Sequence, residues 1–208
     1  MISNAFQIDI INEITNWLFL FLFPLLIIAG LRKGKLTETL REMGFKRVDK
    51  ETGVRILLVC MLYTGVLLLV FSLGEETQDL ISGIPKMLAK FPIYFCLMLL
   101  TAGFTEEVFF RGIVQRCMLN TWKRPYIAIL SASVLFGLYH FPFAYYLWDS
   151  TAGSIVDSIR AVLMEQAVTG CALRLMYYKS NKNIWSSVVL HAFINASIMS
   201  LSVVLAVD

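Results

Sequence analysis

The feature that most restricts how this chain can fold is a series of apolar runs, each about as long as a bilayer is thick. The first covers residues 14–31 (ITNWLFLFLFPLLIIAGL) and the second residues 54–73, with further runs from Phe91 to Leu119, from Pro125 to Pro142, over residues 154–178, and from Ile184 to Val207. A helical crossing needs ~20 such residues, so the pattern predicts an all-α polytopic membrane protein of about six transmembrane helices. Composition agrees. Hydrophobic residues make up 58% of the chain and charged residues 16%, with a mean hydropathy of +0.70, against ~45–50% and ~25% in soluble domains.

The charges mark the loops. Eight cations (Arg32, Lys33, Lys35, Arg41, Lys46, Arg47, Lys50 and Arg55) crowd the first connection, which the positive-inside rule places in the cytoplasm. Its interspersed acids dilute a second role, the binding of anionic headgroups. With six spans the alternation puts 15 of the 18 Lys and Arg on one face, including four from Arg111 to Arg124 and three from Arg174 to Lys182. Both termini are then expected outside, as is the acidic connection from Gly74 to Lys90. A net charge of +3 distributed in this way implies no nucleic-acid partner. Cys60, Cys96, Cys117 and Cys171 show neither CxxC nor paired spacing, and read as packing residues rather than zinc ligands or disulfides. No cation precedes the first long run, so a cleavable signal peptide is not expected. Pro24 is expected to kink the first span. No internal repeat or long linker divides the chain, which reads as one structural domain.

One apolar run is interrupted by Glu106, Glu107 and Arg111. Ionisable groups at bilayer depth cost at least ~2.5 kcal/mol each on insertion scales, so three together point to a functional site. Four residues apart on a helix, Glu107 and Arg111 can pair, while Glu106 points about 100° away. One acid reads as bracing and the other as available. The two histidines of the chain, His140 and His191, also lie in apolar runs. His191 and Asn195 share a helical face with Ser187 and Ser202 in the same arc, and Phe136 shares a face with His140. Glu165 and Gln166 in the fifth run read as pairing with Arg160 or another span.

This set supports hydrolysis. A carboxylate and an imidazole can activate water, and an imidazole N–H with an Asn amide can donate to an oxyanion. No serine or cysteine carries a nucleophile motif. Glu106, His140 and His191 also make up the two histidines and one carboxylate that hold zinc in hydrolases, and both mechanisms stay open at this point. No HExxH helix is present. The two faces pose a geometric problem. Glu106 and His140 each lie fifteen residues into their spans; in simple antiparallel crossings they would miss each other by more than ~10 Å in depth. The third helix must project inward or the fourth must be displaced.

Read together, EExxxR (Glu106 to Arg111), FxxxH (Phe136 to His140) and HxxxN (His191 to Asn195), with the flanking FFRGIVQRCML, LSASVLFGLYH and KSNKNIWSSVVLHAFINAS, resemble the CPBP intramembrane protease family. This family comprises type II CAAX-prenyl endopeptidases and the bacteriocin-processing and self-immunity (Abi) proteins. The resemblance covers roughly residues 91–206, so residues 91–208 are expected to form the catalytic core and residues 1–90 a variable portion with two transmembrane helices. It implies a multi-pass cell-membrane enzyme with its catalytic cavity inside the bundle, in which Glu106 activates water with help from His140, His191 and Asn195 stabilise the oxyanion, and Glu107, Arg111 and Phe136 support the site. It implies no cofactor on the glutamate-based reading, with zinc on Glu106, His140 and His191 as the alternative. The partners implied are the bilayer and a peptide or lipidated-protein substrate. Two other classes are a non-catalytic self-immunity or scaffold protein of the same fold and a proton-coupled transporter. The intact set of six polar residues favours the enzyme over the first, and the lack of a repeated half disfavours the second.

Overall fold

The structure, a computed structural model, describes residues 11–32, 36–73, 77–122, 124–148 and 150–205. Among them every regular element is helical. In chain order these are α1 (11–32), α2 (Leu36–Met43), α3 (Lys50–Ser72), α4 (Thr77–Leu100), α5 (102–121), α6 (Pro125–Tyr139), α7 (Phe141–Tyr146), α8 (155–179) and α9 (Ile184–Leu205). Five are long and apolar enough to cross a bilayer, in segments Ile11–Leu31, Lys50–Val70, Ile81–Leu100, Pro125–Tyr146 and Ile184–Ser202. The α9 span is 61% buried against 6% for α3, so α9 is the central post and α3 faces lipid with Leu57, Leu58, Met61 and Leu62 exposed.

Local chemistry sets the boundaries. Pro24 lacks an N–H and its ring would strike the carbonyl four residues back, and α1 answers with wider π winding over Trp17–Leu22 just before it. Asp49 Oδ1 accepts from Thr52 N–H at 2.7 Å and caps α3. Pro125 opens α6 after an extended Arg124. Ser154 Oγ accepts from Asp157 N–H at 3.3 Å to cap α8. Gly44 closes α2: its N–H bonds Arg41 C=O at 3.2 Å and the Phe45 N–H reaches back to Leu40 C=O at 3.1 Å, a Schellman ending that needs Gly44 at φ +103°. A side chain there would also run into Lys182 C=O, 2.5 Å from where its Cβ would lie. Gly44 C=O in turn receives the Ile184 N–H at 2.9 Å, stitching the end of α2 to the start of α9.

The third apolar run departs from expectation. Helix α4 is already helical at Thr77, inside the connection expected over 74–90, and the run from Phe91 to Leu119 is two helices rather than one. The break is Thr101 (φ −112°, ψ −119°). There the N–H groups of Phe104 and Thr105 both turn to Thr101 C=O, each at 3.0 Å. The Leu100 C=O is taken by the indole N–H of Trp17 on α1 at 3.1 Å. Beyond the break α5 forms an antiparallel hairpin with α6, with Phe110 against Phe136 at 5.1 Å. Continuing that pairing towards the start of α5 sets Glu106 opposite His140, which removes the depth mismatch of two simple crossings.

Two cations assigned to the cytoplasmic face are not loop residues. Arg111 and Arg174 are both fully buried, so they drop out of the topology count. The pairing expected in α8 is not made: among the described residues Glu165 forms no ion pair with Arg160, although both line one cleft with Asp157.

Candidate active site

Glu107 is the centre of the cluster. Its side chain is fully buried; Oε2 lies 2.6 Å from Arg111 Nε one turn on, and Oε1 lies 2.8 Å from His191 Nδ1 on α9. The Arg111 N–H is not aimed along a hydrogen-bond direction, but two opposite charges this close in a desolvated interior attract whatever the angle. Since a carboxylate accepts, His191 Nδ1 carries a hydrogen, and Nε2 is the nitrogen presented elsewhere. The Glu107 contacts join α5 to α9 and set the orientation of both side chains.

Glu106 takes the other direction. Its Oε2 stands 3.8 Å from His140 Nε2, and these two side chains keep 8% and 14% of their surface exposed while Glu107 and Arg111 keep none. Access to the cluster is therefore from the Glu106 side. His140 is oriented by the end of α6. There the His140 backbone N–H tightens to Gly137 C=O at 2.8 Å, leaving Phe136 C=O for the ring, whose Nδ1–H donates to it at 2.9 Å. This is the physical content of the FxxxH spacing: the residue four before the histidine supplies the carbonyl that selects its tautomer. In the neutral ring Nε2 then faces Glu106 with a lone pair. At 3.8 Å the two acceptors do not bond each other, but a water placed to one side can donate to both at about 2.8 Å.

Phe136 supports the site in a second way. Its ring lies 4.7 Å from that of His140 and 6.1 Å from that of His191, with the Arg111 guanidinium 4.6 Å and the Arg174 guanidinium 5.3 Å from its centroid. Cations over a ring face gain ~2 kcal/mol or more when desolvated. Asn195, one turn beyond His191 and half-buried, points its amide at Met98 Sδ at 3.9 Å. Ser187 is buried near the start of α9, but Ser202 is exposed, so the inward face ends before it. The structure thus brings together Glu106, Glu107, Arg111, Phe136, His140 and His191, while Asn195 lies one turn further along α9 with its amide on Met98.

Arg174 is the residue that sequence reasoning missed. Its place near the end of an apolar run reads as that of a loop cation, yet its Nη1 donates to Gly170 C=O at 3.0 Å and its Cζ lies 5.8 Å from the Phe110 ring. The backbone C=O of Arg174 accepts from buried Gln115 Nε2 at 3.3 Å. Gly170 makes the room, because a Cβ there would come within 2.8 Å of Arg174 Nη1 and 2.9 Å of Phe136 Cδ1. Among the described residues the buried charges are Glu106, Glu107, Arg111 and Arg174, so the acids and cations balance. The signal was present in the sequence. Arg174 sits within an apolar stretch well before Lys179, where the rule applied to Glu106 applies equally.

A family model for the type II CAAX prenyl endopeptidase Rce1-like proteins matches residues 88–197, more than half of the chain, and spans every residue of this cluster. The chain belongs to that family. No curated protein and no solved structure matches it. The Rce1-like segment begins inside α4 and ends inside α9, leaving α1 to α3 outside, yet α1 reaches the site: Tyr139 O–H, beside His140, donates to buried Asn16 Oδ1 at 2.9 Å. Among the described residues no three His, Cys, Asp or Glu side chains, Glu106, His140 and His191 included, converge to hold a metal ion in this arrangement. Of the four cysteines, all free thiols, Cys60 is buried and Cys171 half-buried, while Cys96 and Cys117 are exposed.

Proposed function

We propose that this Rce1-like membrane protein is an intramembrane endopeptidase of the cell membrane, cutting a peptide bond in a membrane-associated or lipidated protein by attack of a water molecule held between Glu106 and His140. The observation that carries the reading is the 3.8 Å separation of Glu106 Oε2 and His140 Nε2, with His140 fixed from behind by Phe136 C=O. A water donating both hydrogens to these acceptors presents its own lone pair to the scissile carbonyl. Glu106 takes the proton as the C–O bond forms. The same carboxylic acid then returns it to the leaving amine as the C–N bond breaks, giving a carboxylic acid and an amine, to which the acid then passes the second proton of the water.

The tetrahedral oxyanion needs donors. Asn195 Nδ2 is one. His191 is the other in its protonated form, because Nδ1 already donates to Glu107 and only an imidazolium also offers an N–H at Nε2. Glu107, itself gripped by Arg111, holds the His191 ring in place. No metal takes part in this mechanism. A prenylated C-terminal tail is one substrate that fits the family description. The test is cleavage of a co-expressed library of membrane-tethered and lipidated peptides by the purified protein, with Glu106→Gln as control. Cleavage by the parent and none by the variant is the expected result; no cleavage of any member, with tight binding of one, would favour a scaffold or immunity protein.

A further inference from the structure

The chain between α2 and α3 forms a cationic cleft that the hydrolytic reading does not use. Thr37, Leu40 and Arg41 of α2, with Phe45, Lys46 and Arg47, line a volume of about 690 Å³. The rim is basic and the floor apolar. No acid is among the lining residues: Glu42 turns instead to Arg116 at 3.0 Å. Among the described residues neither Arg41 nor Arg47 pairs with a carboxylate, while Lys46 Nζ donates to Asn181 C=O at 3.0 Å. The bilayer-length helix α3 begins at Lys50, just past the cleft, and Leu36 and Val48 on either side are exposed. The cleft therefore sits at headgroup level, where each Lys or Arg near an anionic surface adds ~1 kcal/mol.

We infer that this cleft is a binding site for the headgroup of an anionic phospholipid, whose phosphate meets Arg41, Lys46 and Arg47 while the start of its acyl region lies on Leu40 and Phe45. A polar anion would satisfy the rim alone; an amphiphile matches rim and floor together. The walls of the site also belong to the frame that carries the buried cluster. The Phe45 ring packs 5.8 Å from Trp185 on α9 and 5.9 Å from Phe104 on α5. Asn183 Nδ2 donates to Arg47 C=O at 3.2 Å. Met43, next to the cleft, meets α5 at Gly112. A bound headgroup thus steadies α5 and α9 against each other, so occupancy is read as thermal stability of the whole chain.

The test uses full-length protein in neutral detergent. Melting temperature is followed as phosphatidylglycerol, phosphatidylcholine, glycerol 3-phosphate or inorganic phosphate is added, with bound lipid counted by native mass spectrometry. Phosphatidylglycerol is expected to raise the midpoint by ~3 °C or more at saturation and the other three by less than ~1 °C. The shift should shrink at high salt. It should vanish in the Arg41→Gln/Lys46→Gln/Arg47→Gln variant and persist in a charge-matched Lys50→Gln/Arg124→Gln/Lys179→Gln control. Should the triple variant not fold, the single variants Arg41→Gln and Arg47→Gln are each expected to weaken binding at least ~3-fold. Equal loss in the control, an equal response to phosphatidylcholine, full reproduction by a free phosphate, or no response at all would each overturn the assignment.

Discussion

Glu107 accepts from His191 Nδ1 at 2.8 Å, and this contact fixes which nitrogen of the ring the site can use. It also joins the helix of the acidic pair to the central helix of the bundle, so one carboxylate holds structure and chemistry together. Adjacent acids on one helix thereby have different duties: Glu107 faces its neighbours and Glu106 faces the opening.

Their isosteric variants should fail differently. Glu106→Gln is expected to insert and melt like the parent but to lose at least ~10²-fold in cleavage rate, the usual scale for loss of a general base. Glu107→Gln leaves Arg111 uncompensated and is expected to lose about 3 to 5 kcal/mol of stability as well as activity. Melting temperature and rate, measured on one preparation of each, decide the matter. An active Glu106→Gln beside a stable, inactive Glu107→Gln would reverse the assignments.

Gly170→Ala tests the packing around Arg174. The added methyl would meet Arg174 Nη1 at 2.8 Å and Phe136 Cδ1 at 2.9 Å, and overpacking of this kind costs about 1 to 3 kcal/mol. A lower melting temperature is expected, with reduced activity because Phe136 orients His140 and faces Arg111. Unchanged stability and rate would show that Arg174 and Phe136 yield easily and do not support the site.

Orientation can be read with single cysteines in a cysteine-free background. Glu38→Cys, in exposed α2, should resist an impermeant maleimide in intact cells, while Ser150→Cys, in the connection after α7, should react. The opposite labelling pattern would invert the topology.

Chelators should leave the cleavage rate unchanged. Among the described residues Glu106, His140 and His191 do not converge as a ligand set. Stoichiometric zinc in purified protein, with activity lost on its removal and regained on its return, would require a different arrangement of the site.

The sequence showed the kind of fold and the family of the chain because both rest on signals that survive in one dimension. Long apolar runs mark helices, and the four-residue spacings of Glu107 with Arg111, Phe136 with His140 and His191 with Asn195 mark shared helical faces. It did not show the break at Thr101, since a threonine among apolar residues carries no local stop signal and the interruption is compensated by Trp17, 83 positions away in sequence. Arg174 was misread for a related reason. A cation close to the end of an apolar run looks like a topology marker, and only the packing of α8 on α6 shows that it lies against Phe136. The Glu107 to His191 contact was likewise beyond reach, because it depends on how α5 and α9 meet.

The indole of Trp17 on the Leu100 carbonyl gives the first helix a meaning of its own. It lies outside the segment that defines the family, yet it supplies a donor to a backbone carbonyl that the break at Thr101 leaves without its helical partner. The family segment is therefore not a portable module. A chimera that grafts residues 88–197 onto a foreign amino-terminal half inherits an open valence at Leu100, and whatever precedes the segment in a working relative has to close it, by an indole, a hydroxyl or a continuous helix.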